Sequence, residues 1–113
     1  MMRTDAPEND IASTYTMADA LFSACFLNAC LRHSDIVEIA CFSPVVNTRG
    51  AIFVHPDGIL KRTTYYTFYL YANYLKDYIV PTLTTVERLE HGEQSTGVLD
   101  IILSSDEAGK GYK

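Results

Sequence analysis

The segment Met17–Arg32, MADALFSACFLNACLR, constrains what this chain can fold into more than any other. Helical spacing puts Ala18, Leu21, Phe22, Cys25, Phe26 and Ala29 on one face. Leu27, Cys30 and Leu31 then fill most of the remainder. A helix that is apolar nearly all round has to be covered on several sides. Thr16 followed by Asp19 supplies an N-cap with an acid at the third helical position. Arg32 and His33 are cations suited to the other end. After the polar turn Arg32-His33-Ser34-Asp35, the run Ile36–Cys41 consists of strand formers broken only by Glu38. That is the pattern of a strand covered on both faces. A buried helix leading through a tight turn into such a strand is half of an α/β repeat.

Beyond Pro44 the chain changes character. Ala51–His55 and Ile59–Thr63 flank Pro56-Asp57-Gly58, whose fixed φ, capping side chain and free left-handed position predict a β-hairpin. Residues 63–78 hold six of the eight tyrosines. Thr63–Tyr69 has strand composition. Yet Tyr65, Phe68, Tyr69, Ala72 and Leu75 share one helical face, and Thr67, Tyr71, Tyr74 and Tyr78 another. The length of the pattern favours a helix, with Pro81 marking its end. Thr82–Leu89 and Val98–Ser104 read as strands separated by a turn over His91–Gly97. Residues 1–15 read as a polar loop and residues 106–113 as a polar turn.

Charge is unevenly distributed. Residues 1–10 carry one base and three acids, residues 87–113 three bases and six acids, and the stretch between them five of each. The net charge of −5 argues against nucleic acid or an anionic membrane as a main partner. A neutral, apolar middle with acidic ends suits a buried segment whose solvent-facing parts lie elsewhere. The stretch Ala20–Leu31 falls short of a membrane span, and Asp5, Glu8 and Asp10 occupy the place of a signal peptide's positive region. Cys25, Cys30 and Cys41 are an odd number at unremarkable spacing. They point to buried thiols in a reducing compartment such as the cytoplasm.

Little catalytic chemistry is legible. Cys30 and His33 share a helical face, but no paired C-x-x-C completes a metal set, and two buried thiols with a helix-terminal histidine are the better reading. A cysteine nucleophile needs a base aimed at it, and His33, His55 and His91 all fall in turns. Asp35 and Glu38 are the acids nearest the apolar strand, but they lie at its start, away from the carboxyl end where parallel α/β sheets do their chemistry. Asp35 then reads as a turn residue and Glu38 as the partner of a basic group. No glycine-rich phosphate loop occurs, and no cofactor is implied. The tyrosine cluster suits packing between layers, with stacking on bases or sugars as the other reading. The loop 42–49, at the carboxyl end of the clearest strand, is the best place for a ligand. Ser43 and Asn47 can hydrogen-bond hydroxyls there, and Arg49 can meet a carboxylate. Turn residues satisfying their own backbone are an equal reading.

The blocks Tyr15–Phe22 and Phe26–Asp35 resemble the last barrel helix of the family-51 glycoside hydrolases, the retaining α-L-arabinofuranosidases. Val37–Cys41 with Val45-Val46-Asn47 resembles that family's eighth strand and its valine–asparagine pair. Arg62–Phe68 resembles the entry of the following helix. The resemblance spans residues 12–83 and continues more weakly through Val98–Glu107. It implies an α/β fragment, the last α/β units of a (β/α)8 TIM barrel followed by the first strands of a C-terminal jelly-roll β-sandwich. Residues 16–80 would close the barrel and residues 81–113 begin the all-β domain. Family members use two glutamates at the ends of the fourth and seventh strands, both upstream of the matched region. The resemblance therefore implies no catalytic residue here and an inactive chain on its own. Asn47 matches the family asparagine and stands with Ser43 as a candidate sugar contact. Pro44 occupies the position where many members place a sugar-contacting glutamine.

The expected activity is release of non-reducing terminal α-L-arabinofuranosyl residues from hemicellulose or oligosaccharides. The expected partners are that arabinose-containing glycan, the remainder of the barrel and, by family habit, further copies in a homo-oligomer. A free-standing α+β module that binds carbohydrate or protein without catalysis is the rival reading.

Overall fold

A computed structural model of the chain describes residues 16–107; the loop expected over residues 1–15 and the last part of the turn over 106–113 lie outside them. Helix α1, Met17–Arg32, forms where the apolar segment predicts it. The Asp19 carboxylate accepts the Thr16 backbone N–H at 2.9 Å, tying down the first turn. At the other end the His33 N–H reaches the carbonyls of Ala29 and Cys30, both at 3.2 Å. The hairpin is present as β1, Ile52–His55, and β2, Gly58–Lys61, antiparallel with His55 opposite Gly58. Helix α2, Thr63–Tyr74, resolves the tyrosine segment against its local strand propensity.

The two helices meet along a line of hydroxyls. Thr63 Oγ1 donates to Thr16 O at 3.1 Å, Thr67 Oγ1 to Ala20 O at 3.3 Å and Tyr71 OH to Ala24 O at 3.0 Å. Partners advance by four residues in both helices and in the same direction, so α1 and α2 run parallel with one helical turn per rung. Returning from the end of α1 to the start of α2 requires the chain to travel back along the helices. The six extended residues 37–42 cover roughly 20 Å of that path, against about 24 Å for a sixteen-residue helix.

The run Ile36–Cys41 is not a strand in this structure. Ile36 closes a turn on the His33 carbonyl at 3.0 Å, and residues 37–42 are extended without a ladder. A strand is defined by neighbouring backbones, and none of the described residues lies alongside this segment as a neighbour. Its apolar side chains are consequently open, with Ile36 75% and Ile39 80% exposed. The several-sided burial expected of α1 fails for the same reason. Its packed line is Ala20 and Asn28, whereas Phe22 is 75% and Phe26 56% exposed. Cys25 and Cys41 are exposed rather than buried. Glu38 forms no ion pair among the described residues, while Asp35 sits in the expected turn.

The C-terminal part differs in detail from the expected two strands. Helix α2 stops at Tyr74, before Pro81, and β3, Tyr78–Val80, pairs antiparallel with β6, Leu103–Ser105. The stretch expected as a turn over His91–Gly97 is itself a hairpin of β4, Arg88–His91, and β5, Gln94–Gly97. Ser104, fully buried, accepts the Lys76 N–H at 2.9 Å on its hydroxyl and fastens β6 to the end of α2. All three sheets are two-stranded and antiparallel.

Candidate functional site

The loop of residues 42–51 joins the extended segment to β1, and its shape follows from a few residues. The Ser43–Pro44 peptide is cis, and Asn47 and Thr48 take positive φ values of 52° and 23°. The Asn47 N–H donates to Ile52 O at 2.8 Å and the Ile52 N–H to Val45 O at 3.2 Å, closing a parallel bridge between Val46 and Ile52. Gly50 lies against this bridge so closely that a Cβ there would stand 2.5 Å from the backbone of Val45 and Val46. Only glycine fits such an approach.

Arg62, the residue just before α2, holds the loop from below and is only 6% exposed. Its Nη1 donates to Gly50 O at 2.7 Å and Asn47 O at 3.1 Å, with Thr48 O at the limit of 3.5 Å. The guanidinium also sits 5.3 Å from the centroid of the Phe53 ring.

Of the two candidate contacts, Asn47 carries a defined arrangement. Its Oδ1 accepts the Val54 N–H at 2.8 Å, so the NH2 end of this exposed side chain is what it can offer to a ligand hydroxyl. Ser43 is exposed at the loop entry, and no hydrogen bond joins it to Asn47. Arg49 is half-buried at the loop tip. The loop contains no carboxylate. It can bind and orient a hydroxyl-rich ligand, and no acid–base pair lies within it. Beneath it an apolar hollow of about 380 Å³ is lined by Phe42, Val45, Ile52, Tyr65 and Phe68 among others. Phe42 and Phe68 meet there with ring centroids 5.1 Å apart.

A second polar cluster, not anticipated from the sequence, links the helices to residues 100–101. Asn28, buried in α1, donates through Nδ2 to Asp100 Oδ2 at 3.0 Å, and its Oδ1 shares the single proton of the Tyr71 hydroxyl with Ala24 O. Arg32 pairs with Asp100 and donates to Ile101 O at 3.1 Å. The Arg32 guanidinium holds the Asp100 carboxyl below its ordinary range, opposed by partial burial and assisted by Asn28. Burial pushes the Tyr71 hydroxyl up, and the charge of Asp100 adds to it. Asn28 was legible only as a polar break in an apolar helix. With Thr16, Ala20 and Ala24 it continues a spacing of four residues, which is the signal that marks the seam.

The tyrosines differ in how far they are buried. Tyr71 packs in the seam and Tyr65 over the hollow, whereas Tyr66, Tyr74 and Tyr78 stay about half exposed. No helix among the described residues is long and apolar enough to cross a membrane. No group of three metal-ligating side chains forms among them.

Compared with known proteins, residues 2–109 match the family described as alpha-L-arabinofuranosidase C-terminal domain. An alpha-L-arabinofuranosidase C of Emericella nidulans is 32% identical over 90 residues, covering 77% of this chain and 18% of that protein. A "probable alpha-L-arabinofuranosidase C" of Aspergillus clavatus is 36% identical over 69 residues, covering 61% of this chain and 14% of its own. An "intracellular exo-alpha-(1->5)-L-arabinofuranosidase" of Streptomyces lividans is 34% identical over 59 residues, 51% of this chain and 9% of that one. The chain thus spans less than a fifth of the length of each of these relatives. No solved structure matches it.

Proposed function

The chain belongs to the alpha-L-arabinofuranosidase C-terminal domain family, and from that premise we propose that it is the closing part of a retaining glycoside hydrolase. The whole enzyme releases non-reducing terminal α-L-arabinofuranosyl residues from arabinose-containing hemicellulose or oligosaccharides. Residues 16–80 complete its catalytic barrel, and residues 81–113 begin the jelly-roll domain behind it. Both glutamates of the double displacement belong to the upstream strands of that barrel, so the chain alone is inactive. Ser43 and Asn47 line the substrate side, in the loop at the carboxyl end of the last strand.

The observation that carries this reading is the parallel pair α1 and α2, joined across an extended segment that has no strand partner among the described residues. Consecutive helices of a (β/α)8 barrel run parallel, and the strand between them returns inside the ring. In that frame residues 37–42 are the eighth strand, apolar on both faces because its neighbours and the helices cover it. The exposed Phe22, Phe26, Ile36 and Ile39 are then contacts with the rest of the barrel.

The test is hydrolysis of an aryl α-L-arabinofuranoside by the purified chain, and by the same chain preceded by the reading frame upstream of it. The chain alone gives no hydrolysis, and the longer polypeptide gives it with the α-anomer of arabinofuranose as first product by NMR. Hydrolysis by the short chain that is abolished by Asp35→Asn or Glu38→Gln would overturn the proposal.

A further inference from the structure

Arg62 stands at the N-cap of α2, where the partial positive charge of the helix end disfavours a cation. Burying a guanidinium there is unfavourable unless its donors are used. Its carbonyl caps the first turn of α2 by accepting the Tyr65 N–H at 3.0 Å, and its guanidinium reaches the loop of residues 42–51 and β1. The backbone N–H donates to Ala51 O at 2.9 Å, the guanidinium to Gly50 O and Asn47 O, and its face rests on Phe53. The loop it grips holds two consecutive non-glycine residues at positive φ, one of them the β-branched Thr48. Such backbone is unfavourable by itself and persists only where its surroundings determine it. The planar fork of arginine suits several carbonyls at once, whereas a lysine ammonium offers a single point of charge.

We propose that Arg62 is a positioning residue that fixes the 42–51 loop and so presents the Asn47 carboxamide to a sugar hydroxyl, the second half of which rests on the glycosidase reading above. Asn47 is held at its N–H by Ile52 O, at its carbonyl by Arg62 and at its Oδ1 by the Val54 N–H, which leaves its NH2 group to offer a ligand. Specificity then depends on a residue that touches no substrate.

Two measurements separate the halves. In the 113-residue chain, amide exchange at Ile52 and Val54 reports the loop, and exchange along α1 serves as the control. Arg62→Met raises exchange at both loop amides about tenfold with α1 unchanged, and Arg62→Lys gives an intermediate rise. If Arg62→Met disturbs α1 as well, Arg62→Lys decides. Loop exchange equal to wild type in Arg62→Lys then overturns the proposal. In the longer, active polypeptide, Arg62→Lys and Asn47→Ala each raise KM about tenfold with kcat little changed, the worth of one hydrogen bond to a ligand. The double variant is no worse than either single, because both remove the same contact. Additive effects, or an unchanged KM in an enzyme whose loop exchange has risen, overturn the presenting role. A longer polypeptide with no hydrolysis at all overturns the glycosidase reading and leaves the loop result standing.

Discussion

Tyr71 donates to the carbonyl of Ala24 across the α1–α2 seam at the 47-residue offset that also joins Thr67 to Ala20 and Thr63 to Thr16. A constant offset over three rungs means that the seam is a register, set by hydroxyls rather than by interlocking apolar side chains. Thr67→Val keeps the shape of the middle rung and removes its donor. We expect a loss of about 0.5–1.5 kcal/mol, measured as a lower urea midpoint for the helical signal at 222 nm. A midpoint equal to wild type would show that the rung contributes nothing.

The raised Tyr71 hydroxyl makes a prediction at alkaline pH. A tyrosine whose folded pKa lies above its unfolded value stabilises the fold fully below the ordinary value of 10.0, and that contribution is lost as pH rises through the folded value. Titration followed at 295 nm should show a late step, above the ordinary tyrosine value of 10.0, that belongs to Tyr71. In Tyr71→Phe the late step disappears, and the stability lost as pH rises above the ordinary value of 10.0 shrinks with it.

Asp100 behaves in the opposite sense. Its carboxyl is held below 3.8 by Arg32, so its contribution is complete above the ordinary carboxylate range and fades as pH falls through the folded value. The Arg32 and Asp100 side chains are 43% and 34% exposed, which limits the pair to about 0.2–1 kcal/mol and makes it sensitive to salt. Asp100→Asn should therefore release the segment around residues 98–105 to faster amide exchange at neutral pH. Wild type and variant should converge once the pH has fallen below the folded value of Asp100, where both side chains are neutral. A difference that persists unchanged in acid would refute the charge-based account.

Gly50→Ala places a methyl group where the backbone of Val45 and Val46 already stands, 2.5 Å away. Neither side of that contact is the flexible end of a side chain, so the bridge between Val46 and Ile52 has to open. Overpacking of this kind typically costs about 1–3 kcal/mol. Faster exchange at Ile52 and Val54, with α1 and the Tyr78–Val80 pairing with Leu103–Ser105 intact, is the expected signature.

The open apolar faces predict how the isolated chain melts. With Phe22, Phe26, Ile36 and Ile39 uncovered and Ala20 and Ala51 the buried apolar residues, it has little of the shared core that makes unfolding cooperative. We expect a broad thermal transition, strong binding of a hydrophobic dye and a tendency to associate. A sharp, reversible melt of a monomer would favour the free-standing module instead.

Local signals carried much of this architecture, and distant partners decided the rest. Thr16 with Asp19 and the apolar run behind them were enough for α1, as Pro56-Asp57-Gly58 was for the hairpin, because those interactions close within a few residues. The period of the tyrosines gave α2 but not its end. Tyr78–Val80 leaves the helix to pair with Leu103–Ser105, a contact that no window of sequence contains. Residues 37–42 have the composition of a strand and lack one because pairing is a property of neighbours. Asn47 is legible as a candidate hydroxyl contact in the loop after the strand, yet its hydrogen bond to Val54 depends on how the loop folds over β1. Arg62 gave no signal as a loop residue, since the carbonyls it binds lie 12 and 15 positions earlier. Its one anomaly, a cation at the start of a helix, is visible in the sequence only once α2 is placed.

The hairpin between the loop and α2 is pinned at its base, by Val46 at Ile52 and by the Arg62 backbone at Ala51, while Gly58 at its tip has nothing within 4 Å of where a side chain would begin. The tip is therefore a handle. With the exposed Cys25 and Cys41 replaced, a dye, a spin label or a surface tether attached at Asp57→Cys would sit at the opposite end of the hairpin from its anchored base and from the 42–51 loop.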